Sequence, residues 1–238
     1  MQNPVTRELW VLDRTGAPLK YTKRDERYKV GVCRTLRCTF PIVSRNGCSS
    51  LVKTSLVADG LMDESDTRFV WNTRVFGRAV LPPARGCVLD GVEDYRRFVV
   101  VDDERRRTFR WVDHVLRHGL CPYLRRPGEL SREEHLREAL WAGPILFGDP
   151  WANDQHAIPQ KLYLERLERY ALKGGAALES FERVPLDGLA DWFAEAFGRP
   201  FVKDNVTPAA KRIFGDPTDA ERALVDAYVS GLEARGLA

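Results

Sequence analysis

The sequence predicts an α/β domain whose central, largely parallel sheet is flanked by helices. Two short apolar runs, residues 41–43 and 97–101, have the composition of buried strands, and the second contains three consecutive valines. Each run leads into a segment whose apolar residues recur at helical spacing. This alternation of strands and helices favours parallel strands joined by helical crossovers.

Length and composition are those of one good-sized domain. The chain has 238 residues, of which 44% are hydrophobic and 30% are charged, as is typical of a soluble globular protein. We expect a single domain over residues 1–238, with peripheral strands in residues 1–36 and the core in residues 37–238. The net charge of +3 is too small to argue for nucleic acid, but it suits an anionic cofactor or acceptor.

The cysteines indicate a reducing compartment. Their number is odd, and their spacing fits neither a metal site nor a disulfide framework: Cys33, Cys38, Cys48, Cys87 and Cys121. The N-terminus lacks the apolar segment of a signal peptide, and no stretch has the length of a transmembrane helix. We therefore expect a cytoplasmic protein with reduced thiols and no membrane span.

The first core strand leads into a tight loop and a helix. The strand breaks at Arg45-Asn46-Gly47, where glycine permits unusual backbone angles. Capping serines and apolar residues at helical spacing then predict a helix from about Ser49 to Ala58. Such a strand–loop–helix presents main-chain N–H groups to a phosphate. Asn-Gly is also the commonest hairpin turn, so an antiparallel hairpin is the alternative.

This loop resembles the phosphosulfate loop of sulfotransferases. It lacks the glycine spacing of a Walker loop, but it is similar to the pattern Pro-[Arg/Lys]-x-[Gly/Ala]-[Ser/Cys]-[Ser/Thr]-[Ser/Asn] with the residues Ser44, Arg45, Asn46, Gly47, Cys48, Ser49 and Ser50. The carbohydrate sulfotransferases are the most similar branch. The resemblance implies a P-loop-like three-layer α/β fold and the co-substrate 3′-phosphoadenosine 5′-phosphosulfate (PAPS). It also implies a hydroxyl-bearing acceptor, a saccharide, and no metal.

The resemblance assigns roles within the loop. Main-chain N–H groups of Asn46 to Ser50 are expected to cradle the 5′-phosphate, with the hydroxyls of Ser49 and Ser50 as further donors. Arg45, where many relatives have lysine, is expected to neutralise charge that builds up on the bridging oxygen and the sulfuryl group. Golgi members of the family carry a membrane anchor that is not seen in this chain, which favours a bacterial-type enzyme.

The second strand resembles the family's 3′-phosphate motif, roughly Phe-Val-Val-Val-Arg-Asp-Pro-x-Glu-Arg-Leu-x-Ser-x-Tyr. Arg107 matches the second arginine, but Asp102 stands at the first arginine and Arg110 at the serine, the two positions that hold the phosphate. An aspartate about 4 Å from a negative charge costs about 1 kcal/mol in water. Either Arg110 supplies the missing positive charge, or the usual phosphate is no longer bound. The alternative is a plain helix start with acids near its N-terminus.

Two residues are candidates for the general base that removes the acceptor's proton. Glu64, with Asp63 beside it, follows the first helix at about the place of a catalytic carboxylate in some sulfotransferases; a solvated loop is the alternative. His156 lies in residues 154–160, which resemble an Asp-x-His-x-x-Pro-Gln stretch of carbohydrate sulfotransferases. That stretch precedes a strand, so we expect a strand at residues 161–164. A structural histidine is the alternative.

The rest of the chain continues the α/β order. A capping box at residues 131–134 predicts a helix of roughly ten residues. Residues 178–184 favour a strand, residues 185–197 a helix and residues 219–235 an amphipathic helix. Asn205 lies in a segment that weakly resembles a cofactor-adjacent loop of the family. His114 and His118 have the spacing of a metal-binding pair without an obvious third ligand, so a surface or packing role is expected.

Two other classes of function compete with the enzyme. Asp102 at a cofactor position allows a catalytically degenerate module that binds a glycan or a protein. Nucleic-acid binding through the arginines of residues 105–107 and 125–126 is disfavoured, because aromatic residues are not interleaved with them in a known motif.

Overall fold

The computed structural model describes residues 28–68, 70, 73–82, 87–118, 130–148, 156–173, 178–203 and 212–238. The chain divides into two units. The sheet unit comprises Arg24–Asp102 and Gln160–Val206, and the helical unit comprises Met1–Lys23, Asp103–Pro159 and Thr207–Ala238. Residues 1–27, where most of the peripheral strands are predicted, lie outside the described residues.

The sheet unit contains a four-stranded sheet. Its strands β1 to β4 are Val30–Cys33, Cys38–Pro41, Arg96–Val101 and Glu182–Pro185. They lie in the order β1-β2-β3-β4, with β1 antiparallel to β2 and the pairs β2–β3 and β3–β4 parallel. The strand predicted at residues 97–101 is β3, whereas the one predicted at residues 41–43 shares only Pro41 with β2, which begins at Cys38. The α/β class with a mostly parallel sheet is confirmed.

Helices connect and follow these strands. In the described ranges they are α1 to α6, at Cys48–Ala58, Glu104–His118, Arg132–Gly148, Gln160–Leu167, Leu189–Phe197 and Asp219–Glu233. Within those ranges, none of the helices combines the length and the apolar character that crossing a membrane requires.

The core of the sheet unit joins three strands to two helices. Its buried members include Phe40, Phe98, Val100, Val184, Leu51, Leu56, Leu189 and Phe193. Strand β3 is buried at three consecutive positions, so residues on both faces of the sheet are covered there. This is the burial expected for a central parallel strand. Because both faces are packed, the carboxyl ends of β2 and β3 are held in a fixed position.

The helical unit is built from α2, α3 and α6. Its core contains Trp111, Val112, Val115, Leu136, Ala139, Val225 and Val229. Helix α6 begins with a capping box in which Thr218 and Glu221 exchange hydrogen bonds. The Glu221 carboxylate is only 2% exposed. Arg132 of α3 donates to both of its oxygens, at 3.0 and 2.9 Å, so the buried charge is paired.

One predicted strand is wrong. Residues 161–164 form part of helix α4, which begins at Gln160 after Pro159. Tyr163, Leu164 and Leu167 are buried, and their spacing places them on one side of a helix. A proline just before the first turn is compatible with a helix start. The helical periodicity of this segment therefore decides its structure.

Other boundaries differ in detail. The capping box at Ser131 is confirmed, since the Glu134 amide donates to Ser131 Oγ at 3.3 Å and the Ser131 amide donates to Glu134 Oε2 at 2.8 Å. Helix α3 then runs for 17 residues. The predicted strand at residues 178–184 begins as a 3₁₀ turn, Leu178–Ser180. Strand β4 starts only at Glu182, where pairing with β3 begins.

Candidate functional site

The loop between β2 and α1 contains two left-handed residues. Arg45 has φ 71° and Gly47 has φ 69°. Gly47 is the N-cap of α1, whose first hydrogen bond runs from the Leu51 amide to the Gly47 carbonyl at 3.0 Å. Main-chain N–H groups of a first helical turn have no partner within the helix. The predicted strand–loop–helix is therefore present, and the hairpin alternative at Asn46-Gly47 is wrong.

Asn46 fixes this loop to the end of the neighbouring strand. Its side chain is 1% exposed, and its Nδ2 donates to the Val100 carbonyl and to Gln160 Oε1, both at 2.7 Å. Gln160 Oε1 also accepts from the Asp102 amide at 3.1 Å. These four residues form a buried polar node that joins the loop, the carboxyl end of β3 and the first residue of α4.

Helix α4 makes a second contact at the start of the loop. Tyr163, which is 1% exposed, donates its hydroxyl proton to the Ile42 carbonyl at 2.9 Å. Gln160 and Tyr163 are thus the residues that position the loop. This role of Gln160 and Tyr163 is not predicted from the sequence. The only signal for Gln160 was its place at the end of the Asp-x-His-x-x-Pro-Gln stretch.

The surroundings of the loop favour an anion. The first turn of α1 contains no acidic residue, and the half-buried Arg45 precedes it. Burial raises the pKa of the Cys48 thiol, and the Arg45 guanidinium lowers it by a smaller amount. Serines 49 and 50 lie in the same first turn. A helix N-terminus with a cation and hydroxyl donors can bind a phosphate or sulfate group.

Helix α1 carries a second cation that was not predicted. Lys53 is 6% exposed, and its Nζ donates to the Asp66 carbonyl at 2.7 Å. The Asp66 carboxylate in turn binds Arg68, and hydrogen bonds from Arg68 lower the pKa of Asp66 to about 2. Lys53 therefore joins α1 by a hydrogen bond to the turn at residues 63–66. This turn also contains Glu64.

Glu64 lies exposed on that turn, with Asp63 exposed beside it. In the part of the chain that the structure describes, no hydrogen bond joins the Glu64 carboxylate to the loop at residues 44–50. The structure places Glu64 in the same unit as the loop.

The predicted 3′-phosphate residues belong to the helical unit. Arg107 on α2 is 1% exposed, and its Nη1 donates to both Glu104 oxygens at 2.8 Å. Its Nη2 donates to the Ile158 carbonyl at 3.2 Å. The guanidinium is therefore engaged by protein groups. Arg110, almost one turn further along α2, is half-buried.

His156 also belongs to the helical unit. Its half-buried ring lies next to that of His114 on α2, with the ring centroids 4.2 Å apart. His114 thus packs against His156, the candidate base. Asn205 lies outside the described residues.

Comparison with known proteins finds no match, whether among family models, curated proteins or solved structures.

Proposed function

We propose that this protein is a sulfotransferase that moves a sulfuryl group from PAPS to a hydroxyl group of a saccharide. The observation that carries the proposal is the loop between β2 and α1. Its residues are similar to those of a phosphosulfate loop, and it has two left-handed residues followed directly by a helix N-terminus. This local geometry suits a bound phosphate.

The 5′-phosphate would be held by the loop itself. Main-chain N–H groups of Asn46 to Ser50 would donate to its oxygens, and the Ser49 and Ser50 hydroxyls would add two donors. The positive end of the α1 macrodipole favours the same charge. Because Asn46 is anchored to Val100 and Gln160, the loop needs little rearrangement to bind.

Arg45 would stabilise the transition state. As sulfur passes to the acceptor, negative charge builds up on the oxygen that leaves with the nucleotide. A guanidinium directed at that oxygen lowers the barrier, because the charge is greater in the transition state than in the ground state. The acceptor oxygen forms the new S–O bond and loses its proton to a base, for which Glu64 and His156 are the candidates.

The 3′-phosphate site departs from the family pattern at Asp102. Asp102 would repel it, and Arg107 is already bound to Glu104. Arg110, together with Arg107, would supply the positive charge that is lost at Asp102. Asn205 would make a further contact to the nucleotide.

The test of the proposal is transfer of labelled sulfate from PAPS to a panel of saccharides by the full chain. The variant Arg45→Ala should lose transfer by about a hundredfold or more, because it removes one charged donor to the transition state. The matched control Arg74→Ala removes an exposed arginine from the same unit and should keep full activity. Unchanged turnover in Arg45→Ala would remove Arg45 from the mechanism.

The second candidate function is a binding module without catalysis, and it is favoured by Asp102 and by the engagement of Arg107 with Glu104. Calorimetry with 3′-phosphoadenosine 5′-phosphate (PAP) separates the two functions. Micromolar binding of PAP supports the enzyme. No binding supports the module for glycans or proteins.

A further inference from the structure

Cys33 and Cys38 lie directly opposite each other where β1 and β2 meet their connecting turn. They are register partners in the antiparallel pair, both are fully buried, and both are free thiols. Directly opposed residues in antiparallel strands have Cα atoms about 4.5 to 5.5 Å apart. Disulfides span Cα separations of about 4.4 to 6.8 Å. The backbone spacing of this pair is therefore that of a disulfide.

The two side chains also meet. A side-chain hydrogen bond with Cys33, together with burial, raises the pKa of the Cys38 thiol. The Cys33 thiol is near two further acceptors on α1 and its C-cap, Asp59 Oδ1 at 3.4 Å and the Ser55 carbonyl at 3.8 Å. Both thiols thus occupy one buried site beneath the turn.

The turn above this site is held in place. The Asp59 carboxylate accepts from the Thr35 amide at 2.7 Å and from the Arg34 amide at 3.2 Å. Asp59 is the C-cap of α1, so the turn is attached to a helix. The two sulfur atoms are therefore kept near each other by structure on both sides, which gives them a high effective concentration.

We propose that Cys33 and Cys38 form a dithiol–disulfide couple that exchanges with low-molecular-weight disulfides. One cysteine thiolate attacks the small disulfide, forms a mixed disulfide and releases one small thiol. The second cysteine attacks the protein sulfur of that mixed disulfide and releases the other small thiol. The two protein thiols are oxidised, the small disulfide is reduced to two thiols, and the two protons pass to them.

Equilibrium and rate differ for this pair. The aligned geometry favours the disulfide at equilibrium, whereas burial and the raised pKa of Cys38 keep the thiolate scarce at neutral pH. Exchange should therefore be slow at pH 7 and faster as the pH rises, because the thiolate is the attacking species. The proposal is independent of the sulfotransferase assignment.

The experiment equilibrates the full chain with glutathione buffers of increasing oxidised fraction, blocks remaining thiols with N-ethylmaleimide and digests with trypsin without reduction. Cleavage after Lys29, Arg34, Arg37 and Arg45 places the two cysteines in separate peptides, residues 30–34 and 38–45. The expected result is one joined species, two hydrogens lighter than the sum of the peptides. The equilibrium constant for forming the Cys33–Cys38 disulfide from oxidised glutathione should be at least about tenfold greater in the folded chain than in the guanidinium-unfolded chain. This ratio is equivalent to a reduction potential lower by about 30 mV.

Two variants sharpen the test. Cys33→Ser should abolish the joined species and leave at most a glutathione adduct on Cys38, whereas Cys87→Ser should leave the joined species unchanged. Glutathione adducts without the joined species would overturn the proposal. So would an equilibrium constant no greater in the folded chain than in the unfolded one, a comparison that needs no variant to fold.

Discussion

At the scale of single residues, the candidate site depends on backbone angles that few residues accept. Gly47 has φ 69° as the N-cap of α1, and a Cβ added there would lie 3.1 Å from Leu186 Cδ1. The left-handed conformation costs an ordinary L-residue roughly 1–2 kcal/mol. Arg45 adopts the same conformation without the freedom of glycine. A non-glycine residue there is typical of functional loops.

Gly47→Ala should lower the free energy of unfolding by about 1–2 kcal/mol, from backbone strain and the close contact with Leu186. The measurement is urea denaturation followed by circular dichroism. Gly77→Ala is the matched control, because a Cβ at Gly77 meets no atom within 4 Å. It should change stability by less than about 0.5 kcal/mol. Equal effects of the two substitutions would contradict the strain argument.

Asp59 makes stability depend on pH. Burial alone would raise the pKa of its carboxyl, but hydrogen bonds from the Thr35 and Arg34 amides outweigh burial and hold the pKa below the ordinary 3.8. Its contribution is therefore complete above that value and is lost as the pH falls through the lower pKa of the folded state.

Asp59→Asn should destabilise the protein at pH 7 by roughly 1 kcal/mol, after allowance for solvent screening. The difference from the wild type should shrink as the pH falls below 3.8 and through the lower pKa of the folded state, because the protonated carboxyl is then neutral like the amide. Urea denaturation at a series of pH values measures it. Asp191→Asn, at an exposed site on α5, serves as the control. If the difference in free energy of unfolding between Asp59→Asn and the wild type grew toward low pH, the explanation would be wrong.

At the scale of elements, helix α4 positions the candidate loop. Gln160 and Tyr163 lie on α4 and bind the loop through Asn46 Nδ2 and the Ile42 carbonyl. Removal of Gln160 Oε1 would take one of two acceptors from Asn46 Nδ2, which keeps the Val100 carbonyl, and would also take an acceptor from the half-buried Asp102 amide. The loss of such a partner is costly, because a buried polar group cannot recover its hydrogen bond to water.

Asn46→Ala and Gln160→Ala should each lower the free energy of unfolding by about 1–3 kcal/mol. Because both act on one node, the double variant should cost clearly less than the sum of the two. Lys161→Ala, at the exposed neighbouring position on α4, controls for changes in the helix. Denaturant unfolding of the two single variants, the double variant and the control measures these free energies. Additive effects of the two substitutions would mean that Asn46 and Gln160 are not coupled.

Elements with strong local signals were predicted well. The helix after Gly47, the capping box at Ser131 and the end of α5 at Gly198 all follow from residue types whose effect is local. The strand predicted at residues 161–164 is wrong because it rested on the resemblance alone, whereas Tyr163, Leu164 and Leu167 have the spacing of a buried helix face. The pairing that defines β4 depends on a partner strand far away in the chain, so its start could not be predicted.

At the scale of the whole molecule, the predicted site residues are shared between two units. The loop at residues 44–50 and Glu64 belong to the sheet unit, and Arg107, Arg110 and His156 belong to the helical unit. Binding of a nucleotide at the loop would stabilise the folded sheet unit by mass action, since the unfolded chain has no such site.

PAP at about one hundred times its dissociation constant should therefore stabilise the protein by about 2.7 kcal/mol. For a chain of this size that corresponds to a rise in melting temperature of roughly 5–10 °C. Scanning calorimetry measures the rise, and adenosine without phosphates is the matched ligand control. Arg45→Ala should reduce the rise at the same PAP concentration. No rise at saturating PAP would count against the nucleotide site.

The sequence by itself determined the α/β class, the buried strand at residues 97–101 and the loop–helix after Arg45, because each is encoded by neighbouring residues. Only the tertiary structure decided that Asn46 is held by Gln160, 114 residues away, and that Cys33 faces Cys38. It also decided that Arg107 donates from Nη2 to the Ile158 carbonyl, 51 residues away. Contacts of this kind depend on strand order, register and side-chain competition. No local pattern specifies these, because their energies are set by groups that meet only when the chain has folded.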